Sequence, residues 1–268
     1  MKTNLSIKKF ILFSFIASLI VLLNCSDRNL EPLEGDIKFS IAEGYEDHDL
    51  IESPRIMLSM VTEKIYPCCN YSIISEISVK SKIIAIELIG IYIPEVGLTA
   101  LGPASASSFL DISEGEYQLY FYYRNTKDKY ILTVTDSFIK ITEEVAQFTN
   151  PEFNLYWRYP RNSFAYLCGT ITENSWLGDD FLDTVLSKIT FRQFQFPDSG
   201  KIPYPCSSMG HYYNMPARYF LYEKDENFDK AGEILTSYTQ NVIVYYPGTS
   251  ISLINWKNKK YYSWLFEK

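Results

Sequence analysis

Tyr117-Gln-Leu-Tyr-Phe-Tyr-Tyr123, Asn125-Thr-Lys-Asp128 and Tyr130-Ile-Leu-Thr-Val-Thr135 follow one another almost without a gap. The first and third pieces are built from aromatic and β-branched residues, which suit a pleated, half-buried surface. The second is a polar cluster of the kind that turns a chain. The stretch therefore reads as a β-hairpin with a four- to five-residue connection, and it sets the expectation for everything around it.

Outward from the hairpin, the same signal repeats. Ile37, Phe39 and Ile41 alternate with polar neighbours, as do Ile56, Leu58 and Met60. Lys82 to Ile93 is nearly all apolar, which predicts a central strand covered on both faces, with Gly90 marking a bulge. Phe138 to Thr142 predicts a last strand. Some seven short strands between residues 35 and 148, with no helical period, predict a β-sandwich. Sixteen per cent of the chain is aromatic, with 22 tyrosines, which points to β-structure as well.

After Asn150-Pro151 the pattern changes. All four tryptophans lie beyond this point. Phe181, Leu182, Val185, Leu186 and Ile189 carry helical spacing behind Asp179 and Asp180, which suit a cap and a first turn. Phe228, Ala231, Leu235 and Tyr238 repeat at steps of three or four, with Gly232 a weak point of about 1 kcal/mol. Val242–Tyr246, Ile251–Trp256 and Tyr261–Phe266 read as strands. The expected architecture is mainly β: a sandwich over 35–148 followed by a smaller α+β domain over 151–268.

Leu110-Asp-Ile-Ser-Glu-Gly-Glu-Tyr117 resembles the corner before a late strand of immunoglobulin-like domains. That resemblance implies an immunoglobulin-like antiparallel sandwich, and a Tyr117 hydroxyl bonded back to the preceding chain.

The amino end has a different character. Lys2, Lys8 and Lys9 precede an apolar run of 14 residues, Phe10 to Leu23, which is shorter than the roughly 20 residues of a bilayer span. The run ends in Leu22-Leu23-Asn24-Cys25, which resembles the lipobox of bacterial lipoproteins. The resemblance implies a signal peptide over 1–24, removed by cleavage, and a diacylglyceryl group on the Cys25 thiol. Residues 25–34 then form a polar, lipidated tether. The implied location is the bacterial cell envelope, with the chain anchored to a membrane and facing the periplasm or the surface. Several acyl chains on one residue give stable anchoring.

Removal of residues 1–24 takes three lysines and no acid, so the net charge falls from −7 to −10. A chain this acidic offers no footprint for nucleic acid. The 244 remaining residues can bury a substantial core.

Chemistry-bearing motifs are sparse. His48, in Glu43-Gly-Tyr-Glu-Asp-His-Asp49, belongs to a solvated acidic loop without the glycine-anchored spacing of a calcium loop. No metal or cofactor motif is recognisable. Cys68 and Cys69 are adjacent, and bridging them directly is strained. Cys168 and Cys206 are the preferred disulfide pair, at an address that permits one. Cys168 with His211 is a thiol–imidazole alternative, although nothing around Tyr166-Leu-Cys-Gly-Thr170 resembles a thiol hydrolase. The densest aromatic segment holds Tyr204, His211, Tyr212, Tyr213, Tyr219 and Tyr222, which suits recognition of glycans or protein surfaces. The reading is a lipid-anchored, non-catalytic binding or assembly subunit. A surface glycan-binding lipoprotein and an envelope hydrolase with dispersed carboxylates are its rivals.

Overall fold

The structure, a computed structural model, describes residues 29–47 and 49–265. The signal peptide, Cys25 and His48 lie outside the described residues.

The chain up to Trp157 builds one large curled sheet of eleven strands. These are β1 (Leu30–Glu31), β2 (Ile37–Gly44), β3 (Arg55–Tyr66), β4 (Ser72–Lys80), β5 (Ile83–Tyr92) and β6 (Gly102–Phe109), then β7 (Gly115–Tyr123), β8 (Thr126–Val134), β9 (Phe138–Val145), β10 (Thr149–Pro151) and β11 (Leu155–Trp157). Their order is β10-β2-β3-β6-β4-β5-β7-β8-β9-β11, with β1 on β5. The curl shows in the packing. Phe39 on β2 lies 4.6 Å from Phe121 on β7 and 5.1 Å from Tyr130 on β8, ring centre to ring centre. β2 and β7 are five places apart in the sheet, so their faces meet only because the sheet turns back on itself. The enclosed core takes the alternate residues of each strand, such as Ile37, Phe39 and Ile41, or Leu119 and Phe121. The period of two that the sequence displays is the period of burial.

Several expectations need correction. The hairpin loop is two residues, Arg124 and Asn125, because Arg124 adopts a positive φ of 53° and Tyr123 pairs with Thr126. Lys127 and Asp128 are therefore strand residues. β5 is covered on one face only, with Ile83 and Ile89 exposed. Its bulge does fall beside Gly90, where the register shifts between Ile74 and Ser75 of β4. Residues 29–34 are not a free tether. Leu30 and Glu31 pair with Tyr92 and Ile91, Leu33 is buried, and the Leu33 N–H donates to the Tyr123 hydroxyl at 2.9 Å. The sheet also runs past residue 148: β10 pairs in parallel with β2, and β11 pairs antiparallel with β9.

The Tyr117 hydroxyl donates to the Ser113 carbonyl at 2.9 Å, and the Ser113 N–H and Lys82 Nζ lie 3.1 and 3.0 Å from it. This is the bond expected of that corner.

A second, six-stranded sheet comprises β12 (Ser163–Thr170), β13 (Arg192–Phe194), β14 (Tyr213–Asn214), β15 (Arg218–Leu221), β16 (Ser250–Asn255) and β17 (Lys260–Tyr262). Its order is β13-β15-β12-β16-β17, with β14 also on β12. Every residue of β12 is buried, so this is the doubly covered central strand. Two helices, α1 (Trp176–Leu186) and α2 (Asp225–Asn241), cover the face that carries Phe164, Tyr166 and Cys168. α1 begins three residues before Asp179, at a Ser175 cap. Gly232 serves packing: a Cβ there would lie 2.6 Å from the Tyr261 ring, which rests on the helix backbone. Val242–Tyr246 is not a strand but the end of α2 and a 3-10 turn, and the final strand is only Lys260–Tyr262.

Candidate binding cleft

The segment Trp157-Arg-Tyr-Pro-Arg161 crosses from the first sheet to the second, and it forms the floor of a cleft of about 820 Å³ between them. That volume is within the range of small-molecule and cofactor sites. The first sheet contributes Glu43 at the end of β2, Glu114 ahead of β7, and Asp136 and Ser137 in the β8–β9 turn. The second contributes Phe194 and Phe196 from its helix-free face, with Trp256 just after β16.

The floor is held by a buried ion pair. Glu43, whose side chain is 4% exposed, accepts from Arg158 Nε at 2.8 Å and from the Tyr159 N–H at 2.7 Å. Arg158 also donates to the Thr135 carbonyl. The Tyr45 hydroxyl donates to the Trp256 carbonyl at 2.9 Å, and its ring lies 5.6 Å from that of Tyr159. Burial raises the pKa of both phenols, so Tyr45 and Tyr159 stay neutral hydrogen-bonding groups. Further bonds lock the sheets together, among them Glu52 N–H to Lys257 O at 3.0 Å and Trp157 Nε1–H to Ser199 O at 2.7 Å. The result is a preformed groove with an aromatic wall and a rim carrying charges of both signs, where Arg161, Glu114 and Asp136 are exposed.

The aromatic segment expected to bind is divided by the fold. Tyr204, Tyr219 and Tyr222 are buried. Tyr204 and Tyr219 stack at 5.9 Å in the cluster that backs the cleft wall, and Tyr222 packs on Phe228. Burial pushes the Tyr219 hydroxyl up to about 12. Tyr212 and Tyr213 are exposed, at 88% and 43%, at the far end of β12, Tyr212 just ahead of β14 and Tyr213 within it. No continuous ring platform results, because β15 runs its side chains alternately into the two layers of core. Tyr219→Ala is therefore expected to cost about 3–5 kcal/mol of stability. Tyr212→Ala should change it by less than about 0.5 kcal/mol. Chemical unfolding of the two variants checks this, and equal losses would contradict the division.

The expected Cys168–Cys206 disulfide is not formed, and the four described cysteines are free. Cys168 points into the helix-covered core, whereas Cys206 is exposed on the opposite side, its carbonyl accepting from the Ala217 N–H. β12 stands between them. The same strand separates Cys168 from His211. Successive strand residues face opposite ways, and it is Gly169 that faces His211: a Cβ there would lie 2.4 Å from the imidazole. Burial also pushes the Cys168 thiol up, which disfavours the nucleophilic thiolate. His211 instead holds Ser250, with Nε2 at 2.6 Å from Oγ, while Nδ1 lies 3.2 Å from the Gly248 carbonyl.

Among the described residues, no group of three or more His, Cys, Asp and Glu side chains is placed to hold a metal ion, and no helix is long and apolar enough to cross a membrane. The cleft residues carried one legible signal, the unusual run of two arginines among aromatics at 157–161. Glu43 and Phe194 carried none, since their meeting depends on the docking of the two sheets. The fold is mainly β, with a cleft between two sheets. No protein-family model matches the chain, and no curated protein or solved structure matches it.

Proposed function

We propose that this is a lipid-anchored binding or assembly subunit of a bacterial cell envelope, non-catalytic, with the cleft between the sheets as its ligand site. The anchor rests on the signal-like segment 1–24 and the lipobox at Cys25. In this reading, residues 35–148 are an immunoglobulin-like sandwich, supported by the Tyr117 corner, and 151–268 an α+β unit. The observation that carries the binding role is the 820 Å³ groove itself, aromatic on one wall and charged at its rim.

That lining favours a glycan within the binding reading. Flat rings suit the apolar faces of sugars, and the carboxylates and guanidinium groups suit their hydroxyls. Arg161 is the test residue, because it is exposed on the rim. Calorimetric titration with cell-wall glycan fragments should show binding that Arg161→Ala weakens about tenfold, equivalent to about 1.4 kcal/mol, at unchanged melting temperature. Unaltered affinity, or no glycan binding, would remove the cleft from this role. Intact mass should show a chain beginning at Cys25 with added acyl mass, and Cys25→Ala should lack it.

One observation favours the hydrolase reading. Ser250 and His211 have the spacing of a nucleophile and its base, and the Gly248 carbonyl is placed to hold the imidazole tautomer. Labelling of Ser250 by a fluorophosphonate, lost in His211→Ala, would establish that reading over the non-catalytic one.

A further inference from the structure

Chain entry and one exposed loop share an end of the first sheet. The Ile93 N–H donates to the Asn29 carbonyl at 2.8 Å, and Leu30 pairs with Tyr92. β5 then leaves directly into the loop Pro94–Leu101, which returns as β6. That loop presents Val96, Leu98 and Leu101 to solvent at 79%, 54% and 75% exposure, and Glu95 is its one charged residue. It is held in shape from beneath: Asn70 Nδ2 donates to the Val96 carbonyl at 2.9 Å, and the Leu98 N–H donates to Asn70 Oδ1 at 3.2 Å. An ordered loop that keeps three large apolar side chains in water is costly unless something covers them.

We propose that Pro94–Leu101 is a membrane-contact loop, its Val96, Leu98 and Leu101 side chains seated in the phospholipid interface. The inference rests on the reading of Cys25 as the lipidated residue. Three residues, Ser26 to Arg28, separate Cys25 from Asn29, and the four Cα-to-Cα steps fully extended span about 14 Å. The headgroup layer takes up roughly 5–8 Å of that reach. Asn29, already bonded to β5, is thereby held within about 10 Å of the lipid surface, and the loop beside it has no room to avoid that surface. Because Asn29, β1 and Leu33 are bonded to the sheet, the anchor fixes an orientation where a longer free tether would let the body tumble.

Met209, Tyr212, Val244 and Tyr245 are also exposed, in the second half of the chain, and Tyr212 stands for the rival face for the membrane. The experiment uses the full-length, lipidated protein in phosphatidylethanolamine–phosphatidylglycerol vesicles. A benzophenone amino acid replaces Leu98, Val96 or Tyr212 in turn, and lipid adducts are counted by mass after irradiation. The 98 and 96 positions should each give at least fivefold more lipid adduct than position 212. Two positions are used so that a folding defect in one leaves the other to decide. Equal or greater labelling at 212, or none at 96 and 98, with acyl mass present on residue 25, overturns the membrane-contact loop and leaves the anchor standing. Absence of acyl mass on residue 25 overturns the anchor, and this inference with it.

Discussion

Asp128→Ala is expected to lower the unfolding free energy by at least about 3 kcal/mol. The carboxylate is fully buried and accepts four hydrogen bonds: from the N–H groups of Gln147, Phe148 and Thr149 at 2.9, 3.1 and 2.8 Å, and from the Thr149 hydroxyl at 2.7 Å. Each buried donor left without a partner costs about 1–3 kcal/mol. The damage spreads, since the Phe148 carbonyl accepts from the Ile37 N–H and Thr149 begins the strand that pairs with β2. The Tyr130 hydroxyl, donating to the Thr149 carbonyl at 2.6 Å, braces the same point. Asp128→Asn should lose less, because it preserves the shape while turning one acceptor into a donor. Urea unfolding followed by tryptophan fluorescence measures both. A loss below about 1 kcal/mol for the alanine variant would show that the carboxylate does not hold this return.

Glu43→Ala is expected to cost about 3–5 kcal/mol, the usual penalty for removing one partner of a buried ion pair. Arg158 would keep its bond to the Thr135 carbonyl but lose its counter-charge, and the Tyr159 N–H would lose its acceptor. On the proposed glycan reading, binding should fall with it, since Glu43 and Arg158 both line the groove. The double variant Glu43→Ala/Arg158→Met should be less destabilised than the sum of the two single changes. Additivity within about 0.5 kcal/mol, the behaviour of independent sites, would mean the pair is not coupled.

Much of the fold was legible because its core strands bury one face. Ile37, Phe39 and Ile41, and Leu119 and Phe121, announce both their strands and their inward side. Where a strand is buried on both faces the period vanishes, and Ser163–Thr170 went unrecognised for that reason. Conversely, the apolar run from Lys82 to Ile93 predicts a doubly covered strand, although Ile83 and Ile89 face water. Hydropathy alone does not say whether a second layer arrives. The chemistry of Asp128 suits a turn, but its backbone donors lie some twenty residues further on.

The sequence by itself determined the β character, the place of both helices, the Tyr117 corner and the expectation of an anchor at Cys25. All of these are properties of neighbours along the chain: a period, a cap, an apolar run ending in cysteine. Tertiary structure alone decided that Cys168 and Cys206 lie on opposite sides of β12, and that Tyr219 is core while Tyr212 is solvent-exposed. It also decided that a groove exists between the sheets. Its floor joins Glu43 to Arg158, 115 positions apart. A local pattern states which face of a strand seeks burial, but not which distant face will cover it.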